Sequence, residues 1–407
     1  MIPIHCPHPF FPEDQTTPIP GYPLSKLAHE VGSTPFYLYS RAQLSDRVRR
    51  LRQFLPKAVA LHFAVKANPM PALVQHLAAE VDGFDVASGG ELRVALDTPM
   101  TREHISFAGP GKTRDELLMA LAAGIILNVE SEWELQQIHQ LGQQYGYRPR
   151  VSLRVNPDFE IRGSGMRMGG GAKPFGIDSE KIPTIVRALD ASTLTFCGFH
   201  IFSGSQSLNA EALIEAQKKS LELALWLAHQ CQCTIPFLNL GGGFGIPYFP
   251  GEQPLDSQRV CEALAHALPA FQAAQPQTRL NIELGRHLVG EAGYYVCRVL
   301  DRKISRGQTF LITDGGLHHH LSASGNFGQV IRKNYPVRLI SQIATKETET
   351  VTIVGPLCTP LDILADKMTL PRAQVGDLVV VLQSGAYGKT ASPSAFLGHP
   401  PAQELLI

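Results

Sequence analysis

The chain has 407 residues, of which 44% are hydrophobic and 18% charged. That length and balance fit two domains, or one large barrel with a smaller partner, and exclude a disordered chain. Lys plus Arg and Asp plus Glu are equal at 36 each, so no broad field draws nucleic acid or an anionic membrane.

The seven cysteines (Cys6, Cys197, Cys231, Cys233, Cys261, Cys297 and Cys358) are odd in number and share no repeated spacing, which argues against a disulfide framework. Cys231 and Cys233 form a CxC pair, short of the four ligands of a structural zinc site, and no metal is expected. The start, MIPIHCPHPFFPEDQ, has prolines and acids where a signal peptide needs a basic start and an apolar run. No apolar stretch reaches the ~20 residues of a membrane span. A reduced, cytoplasmic setting is the resulting expectation.

Residues 1–35 are proline-rich, with one short helical candidate at roughly Leu24–Val31. The aromatic run FYLYS (36–40) reads as a strand. Short apolar runs then recur: ALHFAVKAN (60–68), GFDVAS (83–88), HISFAG (104–109), IILNVES (125–131), RVSLRVN (150–156), LTFCGFHIF (194–202), PFLNLGGGFG (236–245) and LNIELGR (280–286). Between them lie stretches such as PALVQHLAAEV and EWELQQIHQLGQQYG, apolar at the helical period of three and four. Eight such strands with intervening helices predict parallel pairing and an α/β fold of (β/α)8 TIM type. The segments 157–193 and 246–279 are longer than the others and are expected to shape the catalytic face. After residue 287 helical periodicity fades, and runs such as GYYVCRVLDRKI, QTFLITDGG, YPVRLISQI, ETVTIVGP and DLVVVLQSGAY predict antiparallel strands. The expected organisation is an N-terminal segment 1–40 joining the β domain, a barrel 41–287 and a C-terminal β domain 288–407.

Polar residues cluster at the ends of the barrel strands: Lys66, Asp85, Arg154 with Asn156, His200 with Ser203, Gly241–Gly243, and Glu283 with Arg286. Barrel enzymes hold their catalytic groups on that face. Lys66 alone is equally a strand-end lysine reaching solvent. If its apolar neighbours desolvate it, the neutral amine that an imine requires is favoured. The GGGFG run lacks the G-x-G-x-x-G spacing, since Ile246 and Tyr248 occupy the places of a third glycine. Bare glycines after a strand still let backbone N–H groups approach a phosphate, although a tight turn would use them too. Glu283 and Arg286 read equally as a surface ion pair. His200 reads equally as a core histidine, and GGGA at 169–172 as a source of loop mobility.

In order, FAVKANP, GFDVASGGEL, GFHIFSGSQ, NLGGGFG, ELGR, GPLCTPLD and SGAYG resemble the alanine-racemase-fold (fold type III) pyridoxal-phosphate decarboxylases, the group of ornithine, arginine and diaminopimelate decarboxylases. The resemblance runs from about residue 33 to 400. It implies pyridoxal 5'-phosphate as cofactor, bound by Lys66 as an imine, and release of CO2 from an amino acid. It also implies that His200 stacks on the pyridine ring and Glu283 pairs with the ring nitrogen. Ser203, Gly241, Gly242, Gly243, Arg286 and Tyr387 would hold the phosphate, with Asp85 and Arg154 near the lysine and ring hydroxyl. Cys358 and Asp362, in a C-x-x-x-D arrangement, would come from the second subunit of a homodimer, with the Cys358 thiol returning the proton.

The chain departs from diaminopimelate decarboxylases in three places. Its CTPLD run puts Thr359 where those enzymes usually carry a glutamate for the distal ammonium. It reads ELGR where they usually read EPGR, and GGLHHHLSASGNFGQVIRKNYP replaces their R-P-x-L-Y segment. The HHHLSASGNFG run is similar to a subgroup acting on carrier-protein-linked glutamyl groups or associated with exosortase systems. The resemblance therefore implies an aminoacyl group on an acyl carrier protein as substrate. Free diaminopimelate or a basic amino acid, an amino-acid racemase and a non-catalytic regulator are the alternatives. His318, His319 and His320, taken as strand residues, would point to opposite faces and could not share one metal ion. They are expected at a substrate entrance or dimer contact.

Overall fold

The structure, a computed structural model, describes residues 4–12, 17–20, 22–159, 166–167 (backbone), 169–341 and 347–407. The glycine-rich stretch 163–172 lies partly outside them. The described residues form two compact units: Ser45–Ile246 with Leu255–His287, and Met1–Leu44 with Pro247–Pro254 and Leu288–Ile407.

After β1 (Phe36–Tyr39) come β2 (Val59–Ala64), β3 (Gly83–Val86), β4 (Ile105–Phe107), β5 (Ile126–Val129), β6 (Arg150–Asn156), β7 (Thr195–Ile201), β8 (Phe237–Asn239) and β9 (Arg279–Leu284). Each strand from β2 to β9 pairs in parallel with the next, and β9 pairs with β2, closing an eight-stranded barrel. The strands are buried almost throughout, hence their near-continuous apolar character. Local sequence fixes where the crossover helices begin. Ser88, Ser131, Asn209 and Asp256 each accept a backbone N–H at a helix start, and Thr113 with Glu116 forms a capping box. Gly124 and Gly146 end their helices at positive φ.

The barrel interior carries a polar ladder across four neighbouring strands. His62 Nδ1 lies 3.2 Å from Asp85 Oδ2, Ser106 Oγ donates to the other oxygen of Asp85, and Asn128 Nδ2 donates to Ser106 Oγ at 2.8 Å. All four side chains are buried. Ser106 links Asp85 and Asn128 by hydrogen bonds, while His62 lies against the Asp85 carboxylate without one.

The other unit contains β1 and β10 (Gly293–Ser305), β11 (Gln308–Thr313), β12 (Val337–Ile340), β13 (Thr348–Val354), β14 (Ile363–Pro371), β15 (Leu378–Val381) and β16 (Gln403–Leu406). Most pairings are antiparallel, but β11 with β13 and β1 with β16 are parallel. β14 and β16 have no counterpart in the sequence reading, because ILADKMTLP and QELL lack the strong β-branched or aromatic signal of their neighbours. The helix Leu24–Val31 packs Leu24 and Leu27 into this unit's core with Phe11, Phe36, Leu38, Tyr294 and Val380. Pro247–Pro254, which chain order sets among the barrel residues, groups here, and the Tyr248 ring meets that of Tyr335 at 4.5 Å.

Candidate active site

Lys66 follows β2 in a short 3-10 turn, Val65–Ala67, and is exposed. The expectation of a lysine desolvated within an apolar strand is therefore corrected: the strand ends at Ala64, and the turn lifts the side chain out of the apolar layer. Its Nζ lies 5.4 Å from the centroid of the Phe202 ring. Phe202 also meets Arg154, whose guanidinium carbon is 5.9 Å from that ring and 5.1 Å from the ring of Phe175.

On β7, His200 projects into the barrel and is 1% exposed. Its Nε2 lies 3.4 Å from Glu283 Oε2 on β9, and neither ring nitrogen has a hydrogen-bond partner among the described residues. Glu283 Oε2 also accepts from Asn239 Nδ2 at 3.0 Å. Burial pushes the Glu283 carboxyl up, but His200, Lys66 and Arg154 outweigh it and hold the group well below the usual carboxylate range. An ionised carboxylate is thus fixed deep in the barrel mouth, where a cationic partner gains most.

The glycine turn after β8 is folded by Asn239, whose Oδ1 accepts the Gly241 N–H at 2.8 Å. Gly241 and Gly243 have φ of +67° and +84°. A Cβ on Gly242 would stand 1.9 Å from the Glu283 carbonyl oxygen, and one on Gly243 2.6 Å from that of Gly204. Only bare backbone fits here, beside the buried Ser203. Arg286 opens the short helix Arg286–Val289 and is partly exposed.

Arg154 Nη1 donates to Glu130 Oε1 at 2.7 Å, and both side chains are buried. Asp85 is enclosed by His62 and Ser106, as described for the ladder. The barrel thus gathers Lys66, Arg154, His200 and Glu283 within one electrostatic neighbourhood. Glu130, Phe175, Phe202 and Asn239 escaped the sequence reading. Asn239 was detectable, because it stands two residues before Gly241 on the inward-facing alternation of β8.

Cys358, Asp362 and Tyr387 belong to the β unit. Cys358 is exposed on the loop between β13 and β14. The Asp362 carboxylate is buried and accepts the Leu317 N–H at 2.6 Å and the Leu357 N–H at 2.9 Å. Burial raises its pKa while these two amides oppose the rise. Tyr387 is half-buried at φ +51°, and its carbonyl accepts the Ser322 hydroxyl at 2.8 Å. Thr359 is half-buried, its Oγ1 accepting the Leu361 N–H at 3.3 Å.

His318, His319 and His320 lie in a turn rather than a strand, so alternation of faces does not govern them. They are buried within the unit instead of forming an exposed entrance. The His318 and His319 rings are 3.7 Å apart, His319 Nε2 meets the Pro400 carbonyl at 2.8 Å, and His320 Nε2 meets Ser384 Oγ at 2.9 Å. Burial lowers His318 to about 4 and His320 to about 3. Among the described residues no group of three or more His, Cys, Asp or Glu could hold a metal ion, and no helix is long and apolar enough to cross a membrane.

A closed parallel barrel with a lysine, a buried His–Glu pair and a bare glycine turn at the carboxyl ends of its strands defines a (β/α)8-barrel enzyme. Residues 41–290 match the pyridoxal-binding domain of pyridoxal-dependent decarboxylases, and the chain belongs to that family. It is 39% identical over 379 residues to the L-glutamyl-[BtrI acyl-carrier protein] decarboxylase of Niallia circulans, covering 92% of this chain and 88% of that one. It is 33% identical to diaminopimelate decarboxylase of Aquifex aeolicus, over 96% of this chain and 90% of the relative. Diaminopimelate decarboxylase of M. jannaschii in complex with L-lysine superposes with a TM-score of 0.87 at 27% identity, over 96% and 90% of the two chains. The protein is a pyridoxal-phosphate-dependent carboxy-lyase, and the racemase and regulator alternatives give way. Its residues fit the cofactor: an ionised buried carboxylate, a histidine with unpartnered ring nitrogens, a lysine clear of the apolar layer, and a turn with no room for side chains.

Proposed function

We propose that this enzyme decarboxylates an aminoacyl group tethered to a carrier protein, of the type of a glutamyl group joined through its side-chain carboxyl. Likeness over nearly the whole chain to a relative named for such a substrate carries this reading. Thr359 supports it, because it offers no charge to a distal ammonium. A glutamyl group tethered at its γ-carboxyl keeps the free α-amino and α-carboxyl groups that the reaction needs.

Pyridoxal phosphate, when bound, supplies the electron sink into which the bond to CO2 breaks. Lys66 Nζ would hold the cofactor covalently. Glu283 would keep a proton on the pyridine nitrogen, and His200 would meet the ring. The N–H groups of Gly241, Gly242 and Gly243 would hold the phosphate with Ser203, Arg286 and Tyr387. Arg154 and Asp85 would face the ring hydroxyl and the lysine. The Cys358 thiol of a second copy would return a proton to Cα, and solvent would restore the thiol. This casting makes the working form a homodimer in the cytoplasm, with each Asp362 serving the loop that carries Cys358.

The test compares CO2 release from a γ-glutamyl carrier protein with release from free diaminopimelate and ornithine. Rapid turnover of a free amino acid with no reaction on the carrier would sink the proposal.

A further inference from the structure

We infer that Glu130 is a positioning residue that acts through Arg154 and joins three loops at the carboxyl end of the barrel. It follows β5 directly and is 4% exposed. Its Oε1 accepts Arg154 Nη1 and the Gly109 N–H, each at 2.7 Å, and its Oε2 accepts the Gly176 N–H at 2.8 Å. Those donors come from the loop after β4, from β6, and from the segment between β6 and β7. Glu130 is itself fixed, because its N–H donates to Glu134 Oε2 at 2.8 Å and Glu134 is bound by Lys112 Nζ.

Burial pushes the Glu130 carboxyl up, but Arg154, Lys112 and the Gly109 N–H bring it below the usual glutamate range. A long, buried arginine needs such a partner, since a buried charge deprived of its counter-ion is strongly disfavoured. The rings of Phe175 and Phe202 flank the guanidinium, and Phe202 also meets Lys66 Nζ, so a drifting Arg154 would disturb the surroundings of the lysine. Among the described residues the carboxylate bonds Arg154 and the Gly109 and Gly176 N–H groups and neither Lys66 nor His200, which gives it an indirect role.

The inference rests on the reading that Arg154 faces the bound cofactor. The experiment is a double-mutant cycle on the holoenzyme with Glu130→Gln, Arg154→Met and both together, following the rate of pyridoxal phosphate release. Each single variant should release the cofactor about tenfold faster, as expected for loss of a charge-assisted hydrogen bond, and the double variant no faster than Arg154→Met. Multiplying effects, or a silent Glu130→Gln beside a damaging Arg154→Met, overturn the inference alone. A silent Arg154→Met overturns the placement of Arg154 and the inference with it. A second readout is the pH midpoint of the cofactor's visible absorbance band. Displacement of the cation should raise it in Glu130→Gln as in Arg154→Met, whereas mere removal of a negative charge lowers it and contradicts a positioning role. If Glu130→Gln yields no folded holoenzyme, Glu130→Asp, which keeps the charge on a shorter arm, enters the same cycle under the same criteria.

Discussion

Glu283 keeps its charge in a buried position because its interactions with His200, Lys66 and Arg154 outweigh the cost of burial. Glu283→Gln keeps the shape and a contact to Asn239 while removing that charge. Turnover should fall about 100-fold or more, with the cofactor still bound, as CO2 release and cofactor absorbance will report. A different consequence attaches to His318 and His320, which burial holds neutral at about 4 and about 3 against an ordinary 6.5. The unfolded chain takes up protons there that the folded unit refuses, so stability is full above pH 6.5 and falls as the pH drops towards those values. His320→Gln should melt with a shallower acid dependence between pH 6.5 and about 3, measured by thermal denaturation. Apolar strand patterns placed His200 and Glu283 near strand ends, and the family resemblance, not the pattern, singled them out. The sequence left Glu130 and Phe202 obscure, since Glu130 bonds Arg154 at a separation of 24 residues and Phe202 meets Lys66 from a distant part of the chain. The histidine run misled because three polar residues between two β segments give no sign of a turn that buries them.

At the scale of elements, the turn after β8 joins packing to chemistry. A methyl group on Gly242 would collide with the Glu283 carbonyl at 1.9 Å. Gly242→Ala should cost about 1–3 kcal/mol, as overpacking does, and should weaken cofactor binding as well, seen in denaturant melts and cofactor titration. Helix caps are simpler. Thr113→Ala removes half of a capping box and should cost about 1 kcal/mol with no change in cofactor affinity. The barrel strands and their order were readable because parallel strands buried on both faces leave continuous apolar runs. The β unit was less so. Two parallel pairings there join strands far apart in sequence, and nothing local announces them.

For the whole molecule, the division of the candidate residues between two units has a direct consequence. Lys66 belongs to one unit and Cys358 to the other. If each working site takes its thiol from a second copy, mixing Lys66→Ala with Cys358→Ala under conditions that exchange subunits should restore activity that neither variant has alone. Failure to recover any CO2 release would place thiol and lysine in one chain. The ladder of His62, Asp85, Ser106 and Asn128 bears on a further matter, the fidelity of folding. Sliding any of its strands by one residue would turn its polar side chain outwards and orphan its neighbours inside. An oil-filled barrel could accept several alignments at similar cost, whereas this one carries an internal checksum that penalises all but one. Evolution is thereby left free to rewrite the loops at the mouth for new substrates, provided the lettering inside the barrel stays as it is.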